Sequence, residues 1–176
     1  HGQEGGGVYA YSFDERNGHL KYIDNQLSKG KDPCHISEDK TEHWVMVANY
    51  SSGSLSVLPV EPGGGVGPAV QTIQHTGHGV NPKRQESAHV HFVNIAPNNK
   101  DVFVSDLGLD KIFTYELNVK TGHLSDGNPP FVKVSPGAGP RHQVISPDHK
   151  FLYLIQEIGG KITAFKYEQS KLTTIQ

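Results

Sequence analysis

Three residues of this chain, His91, Arg141 and Glu157, carry side chains that can move protons or hold an anion, and each breaks an internal repeat. The repeat lays His91–Pro97 over Arg141–Pro147, 50 positions apart, and a looser copy lies 57 positions upstream. In that register Arg141, His91 and Cys34 are equivalent. Unlike residues at one structural position, two of them able to carry charge, point to a shared channel rather than to packing. Glu157 falls on Leu107 and Tyr50. A carboxylate where sister units carry apolar or aromatic residues is expected in an apolar setting, which raises its pKa toward the range useful for proton transfer. His142 falls on Phe92 and His35 and reads as a packed core histidine. His89 and His91 form an H-x-H pair; on a strand both rings share one face, as some metal sites require, but no third ligand can be assigned. Structural roles compete with each reading: His91 bonded to backbone at a strand end, Arg141 clamping a neighbouring unit, Glu157 solvated in a turn.

The elements that would position these residues follow from the repeat. Beyond Pro97 and Pro147 the register holds, with Val102-Phe103-Val104 on Leu152-Tyr153-Leu154 and Lys111-Ile112 on Lys161-Ile162. Each unit reads as short strands (92–96, 102–105 and 112–117; 143–146, 151–155 and 162–167) separated by turns of Pro, Gly, Asn and Asp, which supply fixed or positive φ. A period near 50 with several short strands per unit predicts an all-β chain, a β-propeller of four-stranded blades. Three copies plus a leading strand at 8–13 amount to about three and a half blades. Residues 1–176 are therefore expected to be part of a single propeller domain, a fragment of a longer, seven-bladed ring whose cut edges would otherwise be bare.

Bulk properties exclude some partners. Formal charge is −2, with 16 Lys and Arg against 18 Asp and Glu, so the basic footprint of a nucleic-acid binder is absent. No run reaches the ~18 apolar residues of a membrane span. The single Cys34 cannot form an internal disulfide. With 20 Gly and 11 Pro the chain suits short strands and many turns. The longest irregular stretch, 61–88, includes Gly63-Gly64-Gly65-Val66-Gly67; lacking the Lys and Ser/Thr of a phosphate loop, it reads as a flexible connection. Asn49-Tyr50-Ser51 is formally a glycosylation sequon, discounted at a strand end in a chain with no secretory signal.

Several strings resemble the seven-bladed propeller lactonase family, which includes 6-phosphogluconolactonases and carboxymuconate cyclases. They are Arg84-Gln85-Glu86-Ser87-Ala88-His89-Val90-His91, Phe103-Val104-Ser105-Asp106-Leu107-Gly108, Pro136-Gly137-Ala138-Gly139-Pro140-Arg141-His142 and Leu154-Ile155-Gln156-Glu157. Ala48-Asn49-Tyr50 with Gly53-Ser54 also fits the family's blade pattern, whereas Gln156 stands where an Asn is usual. The resemblance implies a channel site of His91, Arg141 and Glu157, completed by an arginine beyond Gln176. It implies hydrolysis of a small anionic sugar lactone in the cytoplasm, or in the periplasm if a leader has been lost. Arg141, His89 and His142 would contact substrate, and no metal or cofactor is called for. Glu157 or His91 would activate water, and Arg141 would hold the oxyanion or a phosphate. A carboxymuconate-type cyclase and a non-enzymatic binding platform are the alternatives.

Overall fold

The computed structural model describes residues 5–176, and all of its regular structure is strand. A hairpin comes first, β1 (Gly7–Asp14) against β2 (His19–Leu27). Three antiparallel four-stranded meanders follow: β3 (Pro33–Glu38), β4 (Trp44–Asn49), β5 (Ser54–Pro59) and β6 (Gln71–Gln74); β7 (Val90–Ile95), β8 (Asp101–Asp106), β9 (Lys111–Leu117) and β10 (Leu124–Lys133); β11 (Pro140–Ile145), β12 (Phe151–Gln156), β13 (Ile162–Glu168) and β14 (Lys171–Thr174). The expected half-blade is thus a pair of strands rather than one, and the three full blades are present.

The repeat extends to backbone conformation. Glu42, Asn99 and His149, equivalent in the turn after each inner strand, have φ of 58°, 55° and 59°. Gly53, Asp110 and Gly160, equivalent in the next turn, have φ of 60°, 53° and 61°. Each turn needs one left-handed residue, and Gly, Asn or Asp supplies it at least cost.

Alternation along the strands joins the blades. Met46 and Ala48 of β4 face Val90, Val93, Val102 and Val104 of the next sheet, whereas Val47 packs with Leu58, Val66 and the hairpin's Val8 and Ala10. Phe103 of β8 points the other way, into Leu152, Leu154 and Phe165. Polar clasps reinforce the stack: the buried His75 ring bridges the Asp106 carboxylate (2.8 Å) and the Tyr115 hydroxyl (2.8 Å), tying the end of β6 to β8 and β9.

The 61–88 stretch is not a flexible connection. Glu61 and Gly65 close a hydrogen-bonded turn, the Val66 amide donates to the Asp24 carboxylate, and β6 forms the outer strand of its blade. Gln85 within it is fully buried. The ring of Phe103, with no exposure, fills the seam between the second and third meanders. In the full-length protein Phe103→Ala should lower stability by about 3–5 kcal/mol, read as a reduced denaturant midpoint at unchanged slope.

Candidate functional site

The inner strands β3, β7 and β11 lie side by side, and each loses its pairing register near its N-terminal end. The register shift spans Pro33/His35 in β3, Val90/Phe92 in β7 and Pro140/Gln143 in β11. Cys34, His91 and Arg141 are therefore the bulged residues of three successive blades. A bulge re-aims the side chain it carries. Here Cys34 and His91 line a shared depression of about 620 Å³ together with Asp32, Pro33, Tyr50, Arg84 and Glu157, and Arg141 joins the group through the Glu157 carboxylate.

Glu157 reaches the same place from the turn after β12. Its amide donates to the Gly139 carbonyl (2.8 Å), as the Leu107 amide does to His89 (2.9 Å) and the Tyr50 amide to Asp32 (3.0 Å) in the equivalent turns. The carboxylate then meets three cationic or potentially cationic groups. Oε2 lies 3.0 Å from Arg141 Nε and 3.7 Å from His91 Nε2, and Oε1 accepts from Arg84 Nη2. Arg141 Nε is off the hydrogen-bond line, so that contact is an ion pair without a hydrogen bond.

The electrostatics differ from the sequence expectation at Glu157. Partial burial pushes its pKa up, but Arg84, His91 and Arg141 outweigh it and hold the carboxyl below its usual value. His91 moves down as well, chiefly through burial, with Arg141 and His142 adding to the shift and Glu157 opposing it. At neutral pH the site therefore pairs an ionised Glu157 with a neutral His91. Arg84 is held firmly protonated by Tyr50 and Glu157. Cys34 lies at the rim with its sulfur toward the His91 carbonyl oxygen (3.3 Å), and burial pushes its thiol up to about 11, which keeps it a poor nucleophile.

His142 is exposed, not a packed core residue; its ring stands edge-on to His91 (centroids 5.3 Å) and beside Phe92. The bulge explains the difference, because β11 drops both Arg141 and His142 from the ladder where β7 drops His91 alone. His89 precedes β7 and stacks on Tyr50 (4.6 Å), with Nδ1 3.2 Å from the Tyr50 carbonyl oxygen and Nε2 3.4 Å from Glu86. The H-x-H rings therefore meet Tyr50 from different sides, His91 doing so edge-on. Among the described residues no group of three or more His, Cys, Asp or Glu is placed to hold a metal ion.

Sequence reasoning does not single out Arg84, Tyr50 or Asp110 as site residues. Asp110 lies outside the depression but holds its frame. Oδ1 accepts from Gln85 Nε2 (2.8 Å) and the Gly139 amide (2.9 Å), and Oδ2 accepts from the Gly137 amide (2.7 Å). One buried carboxylate thus ties the segment bearing Arg84 to the loop that leads into Arg141 and receives the Glu157 amide. Gly139, at φ 64° and packed against Ile158, is where that loop needs glycine. The sequence does carry a signal for Asp110, which stands where the sister turns have Gly53 and Gly160.

In the full-length protein Asp110→Ala should cost about 3 kcal/mol or more, because it strands three donors in a largely buried setting, and equilibrium unfolding measures it. Histidine-selective NMR titration should place the His91 midpoint below that of a free histidine. Glu157→Gln should lower that midpoint further, by removing an attractive charge, and Arg141→Gln should raise it.

Comparison with known proteins agrees with the fold. A 6-phosphogluconolactonase of Bacillus subtilis strain 168 is 39% identical over 163 residues, which are 92% of this chain and 45% of that protein. One of Formosa agariphila is 34% identical over 164 residues, 93% of this chain and 46% of that protein. The solved structure of a periplasmic gluconolactonase from Pseudomonas aeruginosa superposes with a TM-score of 0.94 at 35% identity, covering 100% of this chain and 50% of that one. The chain spans about half the length of these relatives. The family model for "Lactonase, 7-bladed beta-propeller" matches residues 1–176, and the chain belongs to that family.

Proposed function

We propose that the full-length protein, as a closed propeller, hydrolyses a sugar lactone, 6-phosphogluconolactone to 6-phosphogluconate, the lactone-opening step of the pentose phosphate pathway. The observation that carries this reading is the convergence of His91 (3.7 Å) and Arg141 (3.0 Å) on the Glu157 carboxylate in a lactonase-family propeller. The names of the Bacillus, Formosa and Pseudomonas relatives support a gluconolactone as the substrate class. A phosphorylated substrate suits the cytoplasm, although the Pseudomonas relative is named periplasmic.

The chemistry can be written with the groups present. Water adds to the ring carbonyl carbon while neutral His91 takes its proton. Glu157, ionised beside the ring, stabilises the imidazolium that forms. Arg141 faces the oxyanion, where a fixed guanidinium lowers the barrier by charge stabilisation. When the tetrahedral intermediate collapses, the ring C–O bond breaks and His91 returns the proton to the departing oxygen, leaving a hydroxyl and a carboxylic acid that ionises. Exposed His142 is free to bond substrate oxygens, and His89 shapes the Tyr50 wall that the substrate meets.

The test is hydrolysis of fresh 6-phosphogluconolactone by the full-length protein against the spontaneous rate. His91→Gln and Glu157→Gln should each lower kcat, the former by about 10²–10⁴-fold, with thermal unfolding preserved. A folded parent that gives no acceleration would overturn the assignment and favour a binding role.

A further inference from the structure

Arg84 is built differently from the other charged groups of the site. His91 and Arg141 stand on bulged inner strands, and Glu157 on a turn fixed by its own amide. Arg84 instead comes from a connection outside any sheet. That connection is anchored one residue away: Gln85, fully buried, donates to the Leu107 carbonyl (2.9 Å) and to Asp110, and its own carbonyl and side-chain oxygens receive the Gly79 and Asn81 amides. The base of Arg84 is thus rigid. Its side chain is 46% exposed and reaches across to Glu157 Oε1.

Glu157 does not depend on Arg84 alone for compensation. Arg141 and His91 already face Oε2. Two guanidinium groups on one carboxylate is more than a resting ion pair needs, and Arg84, the one that lines the depression, is the one a ligand there reaches first. An arginine's planar donors match a phosphate as well as they match a carboxylate. Asp32, the other carboxylate of the depression, sits at its rim, exposed, and would repel an anion that approached there.

We propose that Arg84 is the site's anion-recognising arm, which leaves Glu157 to bind the phosphate of a phosphorylated sugar lactone while Arg141 remains with the reacting carbonyl. This rests on the lactonase reading and sharpens it. Arg84 selects the phosphorylated lactone over its neutral counterpart. The exchange also frees Glu157 Oε1, so that its negative charge bears more fully on His91 once substrate is in place.

The experiment compares full-length wild type, Arg84→Gln and Arg84→Lys on 6-phosphogluconolactone and glucono-δ-lactone, with calorimetric binding of 6-phosphogluconate and gluconate alongside. Arg84→Gln should reduce kcat/KM for the phosphorylated lactone by about ten- to a hundredfold more than for the neutral one, mainly through KM. Arg84→Lys should recover part of that difference, which a purely structural loss would not. Equal losses on both lactones, or an unchanged ratio, would overturn the proposal. If wild type hydrolyses neither lactone, the lactonase reading fails, and Arg84 is judged on binding: weaker 6-phosphogluconate but unchanged gluconate affinity in Arg84→Gln supports the arm. Equal affinities, or binding of neither compound by wild type, overturns it.

Discussion

A four-stranded sheet with apolar residues on both faces cannot stand alone in water, and most of what this chain does follows from that constraint. In β4, Met46 and Ala48 are buried on one side while Val45 and Val47 pack on the other. In β8, Val102 and Val104 oppose Phe103 in the same way. Period-2 alternation with both faces apolar forces stacking, and stacking of meanders brings their inner strands together. In the last meander Leu152 and Leu154 are covered, but Tyr153 and Ile155 on the opposite face are exposed, as in a blade that takes a neighbour on each side.

Once β3, β7 and β11 converge, their second residues become neighbours although they lie 50 or 57 positions apart in the chain. The bulge there withdraws one residue per blade from the ladder. Sheet geometry would otherwise send that side chain between blades, where an arginine or a histidine would have to be desolvated without a partner. The bulge trades a ladder position for access to the channel. Asp110 then locks the segments beside the channel into one frame, at the cost of a left-handed residue that is not glycine.

The repeat makes the blades legible because spacing and turn chemistry are local properties. His91, Arg141 and Glu157 stand out for the same reason: a repeat shows departures at single positions. Arg84 is harder to see. It lies on the connection after β6, where the sequence repeat is not legible, so no sister residue reveals it as unusual. The segment 61–88 reads as flexible because its order comes from distant partners, Asp24, Leu107 and Asp110, that no local pattern announces. The direction of the Glu157 shift is hidden too, since sister residues Leu107 and Tyr50 imply an apolar setting, whereas the cations arrive from other segments.

The arrangement separates groups that must stay fixed from groups that can change partner. A base and an oxyanion partner gain from being held before substrate arrives, because no reorganisation is then needed at the moment of reaction. Strand-borne His91 and Arg141 meet that condition, and the ionised Glu157 between them keeps two positively disposed groups close without mutual repulsion prevailing. A group that recognises the remote end of a substrate faces a different requirement: it must be satisfied in the empty site and still be released at small cost. An exposed guanidinium on a rigid base, resting on a carboxylate that has another cation to turn to, meets both conditions. Burial of the Arg84–Glu157 pair would have removed that freedom, since breaking a buried pair leaves an uncompensated charge. Partial exposure is therefore what allows one carboxylate to serve as resting partner for the arm and as electrostatic support for the base.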